Sequence, residues 1–273
     1  MEIKNVNIDS IFDILRKASE ITENRETVSK VDTKGDKNFV TAADKAVQDF
    51  VQKELKAILP EAGFYAEEED EHTATDSLRW ILDPVDGTTN LMHDFPCYCI
   101  SLALAEGEDP IFGAVYHIKS GDIFYAKAGE GAYKFTERSG KTEKIAVSDV
   151  KVLSKALTGI GTSPYYKDIV NDNFRLYRAI FDNTCDIRRI GSAAMDCCYV
   201  AASYDDIFVE SVLSPWDYAA GMLIITEAGG KITDFAGNKP SLNKPCSILA
   251  TNGILHDEML KLIQITVPNL CKQ

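Results

Sequence analysis

The sequence lacks the features that would place a protein in a membrane, outside the cell or in a zinc-binding class. No stretch of its 273 residues approaches the roughly 20 consecutive apolar residues that a membrane-spanning helix needs. The opening segment, MEIKNVNIDSIFDILRKASE, carries acidic side chains within its apolar pattern, unlike a signal or transit peptide. The seven cysteines are odd in number, and the four histidines are scattered without metal-ligand spacing. We therefore expect a cytoplasmic protein with no membrane partner, no disulfide framework and no zinc site.

Positive charge is also scarce. The chain has 29 Lys and Arg residues against 42 Asp and Glu residues, which gives a net charge of −13. Such a surface repels phosphate groups, so we do not expect nucleic acid or an anionic membrane as a partner. If the protein handles phosphate, local cations must reverse the sign, and divalent metals would do so.

Two common catalytic patterns are missing as well. There is no G-x-S-x-G nucleophile motif, and the G-x-G at Gly129–Gly131 lacks the strand–turn–helix setting of a dinucleotide site. We predict a hairpin turn there. Cys97 and Cys99 alternate along a predicted strand, which favours small buried side chains over metal ligands.

Hydrophobic spacing indicates two halves of different character. Apolar residues recur with helical spacing over 8–23 and over 42–59. Short apolar runs between 97 and 135, separated by Gly, Asp and Lys, predict a meandering antiparallel sheet. After a polar stretch at 136–151, strand-like and helix-like segments alternate. We predict a single domain over 1–273, with a mostly antiparallel α+β half at about 1–145 and an α/β half at about 146–273.

The stretch WILDPVDGTTN, residues 80–90, carries the strongest chemical signal. It places Asp83 at the end of an apolar strand and Asp86 three residues later, with the rigid Pro84 between them. Two such close carboxylates suit Mg²⁺ or Mn²⁺, although an Asp-Gly turn would explain the pair more simply. The following GTTN predicts a short helix whose first N–H groups could bind phosphate.

Three other acidic features each have a structural and a functional interpretation. The run Glu67–Glu71 is typical of a solvated loop, yet Glu67 also ends a predicted strand. Asp217 either favours the helix dipole or points into an acidic pocket. Asp44 either forms a capping box with Thr41 or reaches across to orient a catalytic hydroxyl.

WILDPVDGTTN and WDYAAGMLIITEAGG resemble the two signature motifs of the inositol monophosphatase family, the lithium-sensitive, Mg²⁺-dependent sugar-phosphate phosphatases. The segments KGDKNFVTAADKAV, FYAEEE, RRIGSAAMDCC and DDIFVES resemble family segments in the same order, so the similarity covers essentially the whole chain. The resemblance implies a layered αβαβα sandwich and the hydrolysis of inositol 1-phosphate or a related sugar phosphate. It also implies two or three Mg²⁺ ions, with Mn²⁺ as a substitute, Li⁺ and Ca²⁺ as inhibitors, and a homodimer.

The same resemblance implies roles for individual residues. The residues implied to hold metal are Glu67, Asp83, the backbone carbonyl of Val85, Asp86 and Asp217, with Asp83 shared between two ions. Those implied in catalysis are Glu67, Thr88, Asp44 and Glu68, with Thr88 and Glu67 orienting and deprotonating the attacking water. Those implied to contact the substrate are Asp86, Gly87, Thr88, Gly191, Ser192, Ala193, Glu210 and Lys34.

The choice of substrate stays open within this superfamily. It also contains fructose-1,6-bisphosphatases and phosphatases of 3′-phosphoadenosine 5′-phosphate, NADP(H) and histidinol phosphate. The D-G-T-T-N turn favours the inositol monophosphatase branch, and the carboxylate of Glu210 suits a polyol hydroxyl. Tyr165, Tyr166 and Lys167 are compatible with a second phosphate, an aromatic group or plain surface. A non-enzymatic role in binding RNA or a partner is the alternative.

Overall fold

The computed structural model describes residues 7–23, 31–33, 39–68 and 77–272. The helices in this part of the chain are α1 (Ile8–Ile21), α2 (Ala42–Ile58), α3 (Thr88–Met92), α4 (Val170–Asn183), α5 (Ala193–Ala201), α6 (Pro215–Glu227) and α7 (His256–Thr266). Short 3₁₀ turns lie at Leu153–Lys155, Lys167–Ile169 and Leu270–Lys272. The strands are β1 (Val31–Thr33), β2 (Phe39–Thr41), β3 (Gly63–Ala66), β4 (Leu78–Asp86), β5 (Cys99–Glu106), β6 (Asp109–His117), β7 (Ile123–Lys127), β8 (Gly131–Thr136), β9 (Lys141–Ile145), β10 (Leu157–Ile160), β11 (Asp186–Arg188), β12 (Ile207–Leu213), β13 (Lys231–Thr233) and β14 (Cys246–Thr251).

The larger sheet has seven strands in the order β3-β4-β5-β6-β7-β8-β9. Only β3 and β4 run parallel, and every later pair is antiparallel, as the meandering pattern predicted. The turn at Gly129–Gly131 joins β7 to β8, so the predicted hairpin is present. The polar stretch at 136–151 contains β9, an exposed edge strand that completes this sheet.

The smaller sheet has five strands in the order β11-β10-β12-β14-β13. Strand β10 runs parallel to both of its neighbours, whereas β14 is antiparallel to β12 and to β13. Helices occur between most of these strands along the chain, which accounts for the alternating pattern of the second half. Strands β1 and β2 form a separate antiparallel pair.

Alternating side chains along the strands stack these elements into five layers. In β4, Trp80 and Leu82 face the core that holds α1 and α2, whereas Ile81 faces the core that holds α5 and α6. The five-stranded sheet turns Phe208 toward that second core, and Val209 toward a third core with α4 and α7. The order helix, sheet, helix, sheet, helix confirms the predicted αβαβα sandwich, because each sheet can bury both faces only between helices.

The helix ends agree with local sequence signals to within about two residues, as expected for such boundaries. Asn7 caps α1 by accepting a hydrogen bond from the Asp9 N–H at 3.0 Å. Helix α6 has the apolar faces expected of a helix packed between two sheets, and it begins with Pro215 after Ser214. In the described ranges, no helix has the length and apolar character that crossing a membrane requires.

Candidate active site

Strand β4 delivers two carboxylates to the edge of the larger sheet. Asp83 and Asp86 are 2% and 9% exposed, and the pairing with β5 shifts register between them. This irregularity follows from Pro84, which has no N–H to give to the ladder. Asp83 Oδ1 instead accepts the Val85 N–H at 3.0 Å, which fixes the orientation of that carboxylate.

A tight turn then leads into helix α3. Gly87 has φ of 95°, and a Cβ atom there would lie 3.1 Å from the Cys97 carbonyl oxygen and from Tyr98 Cβ. Both the left-handed backbone and the lack of space therefore require glycine at this position. The N–H groups of Gly87 and Thr88 precede the first hydrogen bond of the helix, from Leu91 N to the Gly87 oxygen at 3.0 Å.

Two further acids reach the same cavity from other elements. Glu67 follows the last residue of β3, where its N–H bonds to the Leu82 oxygen at 3.3 Å. Asp217 lies in the first turn of α6, and its Oδ2 accepts the Ser214 N–H at 2.7 Å. The two interpretations of Asp217 therefore coexist, because the side chain caps its helix and also lines the cavity.

The carboxylates act strongly on one another. Burial raises the pKa of Asp83 well above its usual range, and the charges of Glu67, Asp86 and Asp217 raise it further. Burial also raises the pKa of Asp217, with added effects from Asp86 and Glu67. So many like charges cannot all ionise in a buried site without a counterion.

The donor set fits a hard divalent cation. Carboxylate and carbonyl oxygens are the ligands that Mg²⁺ and Mn²⁺ prefer. Within 39–68 and 77–272, no three His, Cys, Asp or Glu side chains already have the spacing of metal ligands. The fit therefore rests on the shared burial and mutual repulsion of the acids, which a bound cation would relieve.

Asp44 connects α2 to this site. It is 1% exposed, and its Oδ1 lies 3.1 Å from Thr88 Oγ1. The same hydroxyl lies 3.1 Å from the Val85 carbonyl oxygen. A hydroxyl has one proton, so it donates to one of these acceptors at a time and keeps its lone pairs for another donor.

The segment 191–194 orients Asp86. The Ser192 hydroxyl and the Ala194 N–H both donate to Asp86 Oδ2 at 2.7 Å. These bonds lower the pKa of Asp86 against the larger raising effect of burial. Ser192 lines the cavity, is 1% exposed and binds this carboxylate through its hydroxyl, and its predicted contact with substrate stays a prediction. Gly191 and Ala193 line the cavity beside it.

Glu210 contributes to another wall of the cavity, from β12 of the smaller sheet. It is 8% exposed, and its Oε1 accepts the Ser163 N–H at 2.8 Å and the Ser163 hydroxyl at 3.2 Å. A Cβ atom on Gly161 would lie 1.8 Å from Glu210 Oε2, so this wall has no room for a larger residue. The cavity between these walls has a volume of about 610 Å³.

The remaining predicted residues are placed less centrally or are not described. Glu68 follows Glu67 but is not among the residues that line the cavity. Tyr165, Tyr166 and Lys167 all line the cavity, which argues against plain surface for this segment. Lys34 and the acids Glu69, Asp70 and Glu71 lie outside the described residues.

Sequence reasoning missed several residues that the fold brings to the cavity. Ser163 holds Glu210 and has an unusual φ of 38°, and the Ser-Pro dipeptide at 163–164 was its only local signal. Arg189 and Asp196 also line the cavity. Asp196 is 2% exposed, its Oδ1 has no hydrogen-bond partner among the described residues, and burial raises its pKa well above the usual range.

Comparison with known proteins finds relatives in both sequence and structure. A sequence model described as "Inositol monophosphatase family" matches residues 3–267. Inositol-1-monophosphatase from Mesorhizobium japonicum is 33% identical over 86% of this chain and 86% of its own length. Nus factor SuhB from Vibrio cholerae is 36% identical over 81% of this chain and 82% of its own. A solved inositol monophosphatase structure from Thermotoga maritima has a TM-score of 0.82 at 31% identity, and covers 96% of this chain and 98% of that one.

Proposed function

Because the chain belongs to the inositol monophosphatase family, we propose that it is a Mg²⁺-dependent phosphomonoesterase acting on inositol 1-phosphate or a closely related sugar phosphate. Family membership by itself indicates a phosphatase. The observation that carries the finer proposal is the group of buried, mutually repelling carboxylates beside the Gly87 turn, in a cavity that Glu210 also lines.

Metal binding is assigned to the acids that the cavity brings together. The proposed ligands are Glu67, Asp83, the Val85 carbonyl, Asp86 and Asp217. Divalent cations held there would neutralise the phosphate charge, lower the pKa of water and stabilise the leaving alkoxide. The backbone N–H groups of Val85, Ala194 and Ser214 donate hydrogen bonds to Asp83, Asp86 and Asp217, in that order. These bonds fix the orientation of the three carboxylates, so that they would reorganise little on binding a cation.

Thr88 is proposed to orient the attacking water. Its hydroxyl donates to Asp44 or to the Val85 carbonyl, which leaves an oxygen lone pair to accept a hydrogen bond from the attacking water. Glu67 would accept a hydrogen bond from the other proton of this water and act as the general base. No covalent intermediate is needed, because water can attack phosphorus directly when it is positioned and the charge is neutralised.

The substrate is proposed to lie across the cavity. The Gly87 and Thr88 N–H groups would bind the phosphate oxygens, and Glu210 would accept a hydrogen bond from a polyol hydroxyl at another wall of the cavity. The contact of Lys34 with the substrate stays a prediction. Tyr165 and Tyr166 also line the cavity and suit a larger leaving group, so measured turnover decides between the substrates of the superfamily.

The central test is phosphate release by the purified chain. We expect Mg²⁺-dependent turnover in a panel of inositol 1-phosphate, fructose 1,6-bisphosphate, 3′-phosphoadenosine 5′-phosphate, NADP and histidinol phosphate, with inositol 1-phosphate preferred. Asp83→Asn should abolish both turnover and Mg²⁺ binding while circular dichroism stays unchanged.

Asp206→Asn is the matched control, since Asp206 is also a buried carboxylate but bonds to Ser148 and the Leu157 N–H away from the cavity. Its folded fraction should keep full activity. Absence of phosphate release from the whole panel, or an active Asp83→Asn variant, would contradict the proposal.

A second candidate function is binding of RNA or a protein partner, because one relative is a Nus factor. The net charge of −13 disfavours RNA. RNA binding that persists at moderate salt, in a protein without phosphatase activity, would favour this alternative. Inhibition by Li⁺ and Ca²⁺, a homodimer and a cytoplasmic location stay predictions from the family resemblance.

A further inference from the structure

Helix α2 presents two buried polar side chains toward the active site, one turn apart. Asp44 and Gln48 are 1% and 5% exposed, and a spacing of four residues puts them on the same helix face. The neighbouring stripe, which includes Val47 and Val51, is fully buried in the core against the larger sheet. Packing of that stripe fixes the rotation of the helix, and so fixes both polar side chains relative to β4.

The two polar side chains hold different parts of the site. Asp44 bonds to Thr88, as described above. Gln48 Oε1 accepts the backbone N–H of Glu68 at 3.0 Å, across twenty positions of sequence. This hydrogen bond lies at the peptide directly after Glu67, where the chain has just left β3.

The bend at Glu67 needs such a restraint. The preceding peptide is held by the Glu67 N–H bond to the Leu82 oxygen, which at 3.3 Å is long. Asp83 and Asp217 repel the Glu67 carboxylate, since the charge of Glu67 raises the pKa of both aspartates. Without a fixed peptide on its other side, Glu67 could turn away from these charges in the metal-free protein.

We propose that Gln48 is a positioning residue that holds the Glu67 carboxylate toward the cation site by fixing the Glu68 N–H. Its amide is suited to this role because the side-chain oxygen is a strong acceptor for the Glu68 N–H. Helix α2 thus orients the site at two points, the water-binding hydroxyl through Asp44 and a metal ligand through Gln48. This inference rests on the proposed function, in which Glu67 is a metal ligand.

The test compares three variants of the full chain. Gln48→Met keeps the size of the side chain but removes the strong acceptor, and Gln48→Glu keeps the acceptor. Val51→Ala, one turn along the same helix, creates a core cavity without touching the site and controls for lost stability. Mn²⁺ and Mg²⁺ affinities are measured by calorimetry, together with amide exchange at Glu68 and steady-state kinetics at saturating metal.

We expect Gln48→Met to weaken the metal affinity about 10-fold and to expose the Glu68 amide to exchange. Its kcat should fall while the KM for substrate stays close to that of the parent, because the phosphate-binding turn at Gly87 is untouched. Gln48→Glu should bind metal at least as tightly as the parent and rescue kcat. Val51→Ala should lower the melting temperature without changing the metal affinity.

Two outcomes would overturn the inference, and they are distinguishable. If the parent binds no metal and releases no phosphate, the proposed function fails and the inference fails with it. If the parent does both and Gln48→Met has unchanged metal affinity, or Gln48→Glu is as impaired as Gln48→Met, only the role of Gln48 is wrong.

Discussion

Replacing Glu210 by glutamine should make the protein more stable at neutral and alkaline pH while impairing its binding of polyols. Burial of Glu210 raises its pKa from 4.5 to about 7, against the lowering effect of the two hydrogen bonds from Ser163. Glutamine can accept the same two hydrogen bonds through its side-chain oxygen and cannot ionise. The variant therefore removes the cost of a buried charge and keeps the local contacts.

The size of the effect follows from the pKa of Glu210. Each pKa unit corresponds to about 1.4 kcal/mol, so a rise from 4.5 to about 7 means that ionised Glu210 costs about 3 kcal/mol in the folded protein. The folded state holds this proton more tightly than the unfolded state. The stabilisation that protonated Glu210 contributes is therefore present in full below pH 4.5 and is lost as the pH rises through 7.

Urea unfolding of both proteins between pH 4.5 and 8, with a chelator present, measures the difference directly. We expect equal free energies of unfolding near pH 4.5, and a variant more stable by about 3 kcal/mol at pH 8. Groups whose pKa does not depend on the Glu210 charge, such as Asp205 with its pKa raised to about 6, are present in both proteins and cancel. A difference that does not change with pH would refute the reasoning.

The same variant tests the functional assignment of Glu210. A hydroxyl-binding role predicts a higher KM for inositol 1-phosphate, because a neutral amide is a weaker acceptor than a carboxylate. The KM for phenyl phosphate, which offers no hydroxyl, should not change. An equal effect on both substrates would assign Glu210 to the shape of the cavity instead.

Three further changes probe separate parts of the structure. Thr88→Val should lower kcat about 10- to 100-fold, and Thr88→Ser should retain most of it, so equal activity of both variants would exclude the hydroxyl from the mechanism. Gly161→Ala should raise the KM for a polyol phosphate and lower the free energy of unfolding by about 1–3 kcal/mol, because its Cβ would overlap Glu210; an unchanged KM would contradict this. His256 is fully buried and its pKa is lowered from 6.5 to about 4. It should therefore reduce stability as the pH falls from 6.5 toward 4, by up to about 3 kcal/mol, and His256→Gln should flatten that part of the curve measured by urea unfolding.

Much of the fold could be read from local patterns. The spacing of apolar residues predicted α1 and α2, and the short runs after Cys97 predicted the antiparallel strands, because those periodicities reflect which side of an element is buried. The order of strands in the five-stranded sheet could not be read in this way. Its neighbours β12 and β14 are separated by α6 and β13, and no local pattern encodes such a pairing.

The candidate site, too, could be predicted from the sequence only in part. WILDPVDGTTN identified Asp83, Asp86 and the glycine turn as candidates, because the stretch resembles a signature motif of the family. The partners that orient them were invisible in sequence. Ser192 and Ala194 hold Asp86 from more than one hundred positions away, and Ser163 holds Glu210 across forty-seven.

By itself the sequence determined the family, since local motifs carry it, and the resemblance to the family in turn implied the αβαβα layering and the candidate ligands. Only the tertiary structure decided which carboxylate oxygens already accept hydrogen bonds. It also decided that Asp217 both caps its helix and lines the cavity, and that Gln48 bonds to the peptide after Glu67. The physical reason is that hydrogen bonds and like-charge repulsion depend on distances of a few ångströms, and such distances between remote segments arise only when the layers pack.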